Sequence, residues 1–244
     1  MSERINNIFT SIADVYDFWG HLFSFGIDGI WRGMVAEEAI DTAVIDDYEY
    51  KVLDVATGTG SIAIDISRKA KKAKKNFKIV GVDFNPNMIK IADDKIKKKR
   101  IKNICFKIED AMDIGEPGCA YDVVTAGFLL RNVDDIEVFA DELKRILKKN
   151  GKFIILEMGK PENKLLNILF KSYFIFIRLI GSFIDKQAYD WLTYSILAFD
   201  RKKMLSILNE KGFENIKIKN LPFHIGFLIT GLKSQNQINQ IKSK

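Results

Sequence analysis

The stretch KVLDVATGTG, residues 51–60, decides the fold of this 244-residue chain. An apolar segment of strand length runs into a turn that carries glycine at positions 58 and 60. Glycine adopts positive φ angles without a steric penalty and lets a ligand approach the backbone closely. A strand that ends in such a turn, with a helix following from Ser61, is typical of nucleotide-binding folds. The stretch therefore predicts an α/β protein with a ligand site at the end of its first strand.

Strand and helix patterns alternate along the chain after this turn. Helical spacing separates the later strands, and Gly151 is expected to close the helix that precedes the fifth strand. Such alternation predicts parallel βαβ units with right-handed crossovers. The predicted fold is Rossmann-like, with a doubly wound, mostly parallel sheet of seven strands. The first five strands are predicted at 51–56, 77–83, 103–110, 121–127 and 152–158.

Both ends of the chain depart from the alternation. The first 50 residues look mostly helical. The segment 160–199, about 40 residues rich in aromatic and aliphatic side chains, is too long for a plain connection. Two strand patterns, 215–220 and 223–233, lie so close together that a hairpin with an antiparallel C-terminal strand is expected. The predicted organisation is one domain, 1–233, with an N-terminal helical cap (1–50), an inserted helical lid (160–199) and a disordered tail (234–244).

The composition favours a soluble globular protein over a secreted or membrane-spanning one. Hydrophobic residues make up 47% and charged residues 29% of the chain, which is ordinary for a globular domain. Two cysteines exclude a disulfide framework, indicate a cytoplasmic protein, and leave Cys105 as a small core residue. No secretory signal is visible. The apolar stretch 165–184 is interrupted by Lys171 and Arg178 and is interpreted as non-spanning.

The net charge of +6 is concentrated in two lysine-rich runs, 68–75 and 95–102. Such runs can bind nucleic acid or anionic lipid, and a non-catalytic nucleic-acid-binding protein would show steeply salt-dependent binding. Both runs fall at predicted helix ends, where lysines complement the helix dipole, and no aromatic side chains are interleaved with them. A solvated outer face is the favoured interpretation, and no nucleic-acid partner is expected.

Three aspartates lie at or near successive strand ends and indicate which nucleotide is bound. Asp54 lies in the first strand just before the turn, Asp83 ends the second and Asp110 follows the third. Asp83 can accept hydrogen bonds from both hydroxyls of a ribose. Asp54 is poorly placed for a pyrophosphate but well placed for an ammonium, and the pattern G-x-G-x-x-G is absent. An adenosine ligand with an amine and without phosphate, S-adenosylmethionine, fits these acids best.

Each aspartate also has a purely structural interpretation. Asp54 can cap its own turn, Asp83 can form an Asx turn before Pro86, and Asp110 can simply solvate a loop. The three together, at equivalent strand ends, favour the ligand.

The chain resembles known methyltransferases in two sets of motifs. VLDVATGTG, VDFNPNMI and ILKKNGKFIILE look like the class I S-adenosylmethionine-dependent methyltransferases. IADVYDFWGHLFSFGIDGIWR, FLLRNVDD and AYDWLTYSILAF resemble, in particular, the UbiE/MenG ubiquinone and menaquinone C-methyltransferases. The resemblance extends from Ile8 to Lys233. It implies methylation of the ring of a polyprenylated quinol, in the synthesis of ubiquinone or menaquinone.

The resemblance also implies a cofactor site without a metal, and S-adenosylhomocysteine as the product. Family members often carry a serine at the position that Gly127 occupies here, so that contact departs from the family pattern. The implied cofactor residues are Asp54, Ala56, Thr57, Gly58, Thr59, Gly60, Asp83, Phe84, Asn85, Met88, Asp110, Ala111 and Gly127.

Arg131 and Asn132 are the candidate catalytic residues. A guanidinium stays charged and can stabilise the phenolate that makes a ring carbon nucleophilic. Asn132 would fix Arg131 or orient the ring oxygen. The alternative for Arg131 is a structural ion pair with Asp134 or Asp135. The candidate substrate residues are Tyr16, Phe128, Tyr189 and Tyr194; His224 is given no role.

The acceptor and the partners stay open at this stage. A methyltransferase for another lipophilic molecule, such as a sterol, phenazine, polyketide or amine, would carry the same glycine turn and a similar apolar lid. The lid segment FKSYFIFIRLIG, 170–181, either forms a tunnel for an isoprenoid tail or rests on the cytoplasmic face of a membrane. A homodimer is the remaining partner considered.

Overall fold

The computed structural model describes residues 3–45, 47–222 and 225–234. Within that part of the chain, seven strands form one sheet. The strands are β1 (Tyr50–Val55), β2 (Phe77–Asp83), β3 (Ile104–Ile108), β4 (Tyr121–Gly127), β5 (Leu147–Met158), β6 (Phe213–Asn220) and β7 (Gly226–Lys233). The helices are α1 (Glu3–Ile12), α2 (Tyr16–Phe23), α3 (Ile27–Ile40), α4 (Ser61–Lys72), α5 (Pro86–Lys99), α6 (Ile136–Ile146), α7 (Lys164–Ala198) and α8 (Arg201–Glu210), with a 3₁₀ turn, Ala13–Val15, between α1 and α2.

The sheet order confirms the predicted fold class. The strands lie in the order β3-β2-β1-β4-β5-β7-β6, and β1 pairs in parallel with both β2 and β4. The order therefore reverses between β1 and β4, and a ligand in such a sheet binds outside the carboxyl ends of these strands. The hairpin of β6 and β7 is confirmed, and β7 runs antiparallel to β5, one position from the edge.

The core lies on both faces of the sheet because successive strand residues point to opposite sides. Leu53 packs on one face with α6 and α8, while Val52 packs on the other with α3 and α4. The cap consists of α1 to α3. α3 packs beneath the sheet through Val35 and Ala39, and α1 reaches the lid through Ile8. Within the cap, α3 thus belongs to the helical layer on one face of the sheet, while α1 contacts the lid.

Two expectations about local structure are wrong. The helix before β5 ends at Ile146, not at Gly151, and Asn150 holds the left-handed conformation with φ of 61°. Pairing of β4 with β5 already begins at Leu147, with an irregularity in register, so sheet pairing overrides the glycine signal. Cys105 is exposed and not in the core, because β3 is an edge strand.

The lid is α7, and it bends sharply at Asp185. This residue has φ of −153° and ψ of 103° and accepts a hydrogen bond from the backbone N–H of Ala188 at 2.9 Å, as a new helix start. The two arms meet at Gly181 and Tyr189. The tail from residue 235, His224 and the start of the predicted strand 223–233 lie outside the described residues. The domain boundaries stay predictions.

We expect Gly181→Ala to destabilise the protein. A Cβ at Gly181 would lie 2.1 Å from Tyr189 Cγ, at the base of a ring that cannot rotate away. Overpacking of this kind costs about 2 kcal/mol, which for a chain of this size lowers Tm by about 4–8 °C. Calorimetry measures the shift.

Gly33→Ala is the matched control in α3. A Cβ there meets nothing within 4 Å, so the substitution gains only helix propensity. An equal loss of Tm in both variants would contradict the close approach of the two arms of the lid.

Candidate active site

Asp54 braces the glycine turn from inside the sheet. Its side chain is buried, and its two carboxylate oxygens accept hydrogen bonds from the hydroxyls of Thr57 and Thr125, each at 2.6 Å. Burial raises the pKa of Asp54 to about 6, although both hydroxyls and the Ala63 N–H oppose the shift. Both oxygens are thus engaged within the protein, which supports the structural interpretation of this aspartate.

Asp83 ends β2 and holds the turn from the other side. Its Oδ2 accepts from the backbone N–H of Gly58 at 2.8 Å, and its Oδ1 accepts from that of Asn85 at 2.9 Å, as in an Asx turn. Burial raises the pKa of Asp83 to about 6, opposed by these two N–H groups. The carboxylate also lines a small cavity beside the turn, so its turn-forming bonds do not remove it from the site.

The cap is fastened to these loops at two points. Asn85, whose Oδ1 caps α5, donates through Nδ2 to the Thr10 hydroxyl and to Asn6 Oδ1, both at 2.8 Å. Asp17 accepts from the Thr59 hydroxyl at 2.7 Å and pairs with Lys95. α1 and α2 therefore close over the glycine turn.

A small cavity of about 50 Å³ lies at the carboxyl ends of β1, β2 and β4. Sequence analysis missed two of its lining residues, Phe9 of the cap and Leu129. Its full lining is Phe9, Tyr16, Ala56, Gly58, Asp83, Phe84, Met88, Gly127, Phe128, Leu129 and Asn132. The structure thus brings together the glycine turn, the end of β2 and the loop after β4.

Other predicted cofactor residues do not line this cavity. Asp110 lies in a turn where its Oδ1 accepts from the Met112 N–H at 2.9 Å, and Ala111 is packed into the core. The remaining ones, Asp54, Thr57, Thr59, Gly60 and Asn85, hold the surrounding loops or pack around them.

A much larger cavity, of about 620 Å³, lies between the cap and the lid. Tyr189, one of the candidate substrate residues, lines it. Tyr194 does not line it and is 65% exposed, because five helical residues turn a side chain by about 140° from Tyr189. The two cavities share four lining residues: Phe9, Tyr16, Phe128 and Asn132.

Arg131 lines the large cavity and pairs with a residue that sequence analysis missed. Its Nη1 donates to Oε1 of Glu157, near the end of β5, and both side chains are buried. Asp135, one of the two partners considered in the structural alternative for Arg131, caps α6 by accepting from the Glu137 and Val138 N–H groups. The lone acid in the apolar strand pattern 152–158 is the sequence signal that could have indicated Glu157.

Asn132 connects the loop after β4 to the lid. Its Nδ2 donates to the Phe128 carbonyl at 3.0 Å, and its Oδ1 accepts from Trp191 Nε1 at 2.9 Å. Burial raises the pKa of the nearby Tyr16 phenol, and the charge of Arg131 opposes that shift. A hydroxyl, an amide and a guanidinium therefore converge where the two cavities meet.

Comparison with known proteins gives a consistent result. The model of the ubiE/COQ5 methyltransferase family matches residues 1–233. The chain is 36% identical over 222 residues to the ubiquinone/menaquinone biosynthesis C-methyltransferase UbiE of Rickettsia bellii, covering 89% of this chain and 87% of the relative. The UbiE of Rickettsia akari is 34% identical, covering 94% and 92%.

Solved structures show the same fold at low sequence identity. A candidate S-adenosyl-L-methionine-dependent methyltransferase of Methanococcus maripaludis superposes with a TM-score of 0.64 at 20% identity, covering 94% of this chain and 93% of that one. Phosphoethanolamine N-methyltransferase 2 of Haemonchus contortus, in complex with S-adenosyl-L-methionine, gives a TM-score of 0.57 at 15% identity, covering 82% and 52%.

Proposed function

The chain belongs to the ubiE/COQ5 methyltransferase family, and from that premise we propose that it methylates a ring carbon of a polyprenylated benzoquinol or naphthoquinol. It is an S-adenosylmethionine-dependent methyltransferase. The observation that carries the proposal is the junction of a small polar-edged cavity with a large apolar one, where Arg131 and Asn132 lie beside Tyr16. A donor on one side and a lipophilic ring on the other would meet there.

The residues around the small cavity fit the cofactor chemically. Asp83 can accept from ribose hydroxyls, and a Cβ at Gly58, where φ is 54°, would meet nothing within 4 Å, so the turn leaves room for a ligand. At about 50 Å³ the cavity is far smaller than ordinary ligand sites. We propose that Phe9 and Tyr16 move with the cap to admit the whole molecule.

The large cavity suits a quinol with an isoprenoid tail. Its walls are mainly aromatic and aliphatic side chains of α1, α2 and α7, including Phe170, Phe174 and Tyr189. Its volume of about 620 Å³ lies within the ordinary range for sites of small lipophilic ligands. Polar side chains concentrate at the junction, so the ring would lie there and the tail would run between cap and lid.

The chain's own residues would align the reactants and stabilise charge. S-adenosylmethionine, when bound, supplies a methyl group on a positively charged sulfur, so the proposal needs no metal ion. Arg131 would stabilise the phenolate of the quinol, which makes the neighbouring ring carbon nucleophilic. Asn132 would orient the ring oxygen, while Tyr16 and Phe128 would hold the ring against the methyl group.

A methyl-transfer assay tests the acceptor. Demethylmenaquinol and a ubiquinol precursor are compared with a sterol, a phenazine, a polyketide and an amine, each with labelled S-adenosylmethionine. We expect turnover with the quinols alone. Turnover confined to one of the other lipophilic acceptors would replace the quinol assignment with that acceptor and leave the methyltransferase activity in place.

We further propose that the protein rests on the cytoplasmic face of a membrane through the lid. α7 is long and apolar enough to cross a membrane by length and composition, a test that core helices of soluble proteins also pass. We favour a surface position because α7 bends at Asp185 and buries Phe174 and Ile177 against the protein. Exposed apolar side chains cover its outer face: Leu165, Ile168, Leu169, Ile175, Phe176, Leu179 and Phe183.

The mouth of the large cavity opens on this surface. Val15, Phe25, Leu166 and Leu169 line the cavity and are also exposed, Phe25 by 82%. Apolar side chains around an opening favour entry of a lipid-borne substrate directly from the bilayer.

We expect the triple variant Phe176→Ser, Leu179→Ser, Phe183→Ser to bind vesicles about 30-fold more weakly, since about 2 kcal/mol of apolar contact is lost. Co-sedimentation with phosphatidylglycerol and phosphatidylethanolamine vesicles measures binding. The double variant Val44→Ser, Ile45→Ser removes exposed apolar side chains elsewhere and should bind normally. If light scattering instead showed a homodimer that only the triple variant dissolves, a second copy and not a membrane would cover this face.

A further inference from the structure

We infer that Glu157 is a positioning residue for the methyl transfer, acting through Arg131. The inference rests on the proposed function in that Arg131 must face the quinol. Glu157 is the next-to-last residue of β5 and is fully buried. Its backbone pairs with Phe227 of β7, so its position is set by the sheet and not by a loop.

The surroundings of Glu157 are unfavourable for a carboxylate. On β5, Phe153 and Ile155 precede it at alternate positions and lie in the apolar core, and Phe227 opposite belongs to the same cluster. Its Oε2 is buried and accepts no hydrogen bond from any residue that the structure describes. Replacing a buried ion pair by apolar side chains is often neutral or stabilising, so this pair is weakly explained by stability alone.

The contacts of Oε1 show what the carboxylate does. It accepts from Arg131 Nη1 and, at 2.8 Å, from the backbone N–H of Met158. The second bond holds the carboxylate against the strand, so the guanidinium is anchored to the rigid sheet. Arg131 itself belongs to the loop after β4, so its position is not fixed by strand pairing.

The guanidinium is also held by an aromatic ring. Its Cζ lies 5.4 Å from the centroid of the Phe128 ring, and Phe128 lines both cavities. A guanidinium carries five donors in a fixed planar fork, so a bond through Nη1 fixes the direction of the others. Because Arg131 forms part of the cavity wall, Glu157 aims the remaining donors at the ring oxygen of the substrate.

The first test compares Glu157→Leu with Glu157→Gln, which keeps an oxygen for Nη1. In the leucine variant the Arg131 guanidinium loses its anchor and is misplaced relative to the reacting atoms. We therefore expect kcat to fall by about 30-fold. The glutamine variant should recover kcat to within about fivefold of wild type, as expected when a hydrogen bond to a neutral group replaces a charged one. KM for S-adenosylmethionine should stay unchanged in both.

A double-mutant cycle separates positioning from a general structural role. If Glu157 acts only through Arg131, adding Glu157→Leu to Arg131→Gln will lower kcat no further. It will also remove the buried unpaired carboxylate that Arg131→Gln alone leaves, so the double variant keeps a folded form to measure. Independent, multiplying losses of kcat would overturn the inference.

A measurement made without a methyl acceptor tests the positioning role of Glu157 independently of the proposed function. In protein labelled with ¹⁵N-arginine, an anchored guanidinium gives resolved Nη resonances, assigned by their loss in Arg131→Lys. We expect these resonances in wild type and Glu157→Gln but not in Glu157→Leu. Resonances that persist in Glu157→Leu would overturn the positioning role whatever the acceptor. Lack of turnover with every quinol, with the resonances behaving as expected, would refute only the proposed function.

Discussion

We expect the Asp83→Ala variant to bind S-adenosylhomocysteine with an affinity about 1,000-fold lower than that of wild type. Two hydrogen bonds from ribose hydroxyls to a charged carboxylate contribute about 3–6 kcal/mol together, and about 1.4 kcal/mol corresponds to a tenfold change in affinity. The carboxylate also accepts from the Gly58 and Asn85 N–H groups, so its removal loosens the turn that would carry the methionine part. Titration calorimetry measures the affinity, and circular dichroism checks that the fold is kept.

Asp122→Ala is the matched control for this change. Asp122 also lies on a strand and accepts from a backbone N–H, that of Lys51 at 2.8 Å, but it lies at the amino end of β4, away from the glycine turn. Its loss should leave affinity within about twofold, as expected for a group without contact to the ligand. Unchanged affinity in Asp83→Ala would show that the cofactor does not bind at the carboxyl end of β2.

The raised pKa of Asp83 gives cofactor binding a defined pH dependence. Ribose hydroxyls donate to the ionised carboxylate, so affinity should be lost as pH falls through about 6. The folding stability of the cofactor-free protein should depend on pH in the opposite direction. The raised pKa values of Asp54 and Asp83 contribute stability that is complete below 3.8 and is lost as pH rises through about 6. Stabilisation by S-adenosylhomocysteine should therefore be larger at pH 7.5 than at pH 5, and equal stabilisation would contradict the role of Asp83.

The sequence was informative where local chemistry determines structure. Glycines 58 and 60 and the acid that ends β2 act within a few residues of the turn, so their positions follow from strand alternation. The position of Arg131 at the cavity also followed from the motif after β4. These residues lie on the rigid sheet or directly beside it.

Residues whose place depends on the cap and the lid were not found from the sequence. Phe9 and Trp191 reach the site only through the packing of separate elements, which no local pattern encodes. Tyr194 was misplaced because the bend at Asp185 and the phase of the helix after it decide which tyrosine faces inward. Tertiary packing, not propensity, decides these cases.

Arg131→Gln will lower kcat by about 100- to 1,000-fold, the usual loss when a donor to a developing oxyanion is removed. The guanidinium is buried beside the junction of the two cavities, where low dielectric strengthens its effect on a phenolate. Affinity for S-adenosylhomocysteine should change little, because Arg131 does not line the small cavity. Steady-state kinetics with a quinol and calorimetry with the product give the two quantities.

Arg178→Gln is the control arginine for this substitution. Arg178 pairs with Asp190 on the exposed side of the lid, so its loss removes a guanidinium and an ion pair without touching the cavity. Arg131→Gln also leaves Glu157 buried without its partner, which destabilises by about 3–5 kcal/mol. Arg131→Lys retains a cation against Glu157 but loses the planar fork. Full turnover in Arg131→Lys would reduce the role to charge, and full turnover in Arg131→Gln would make Arg131 purely structural.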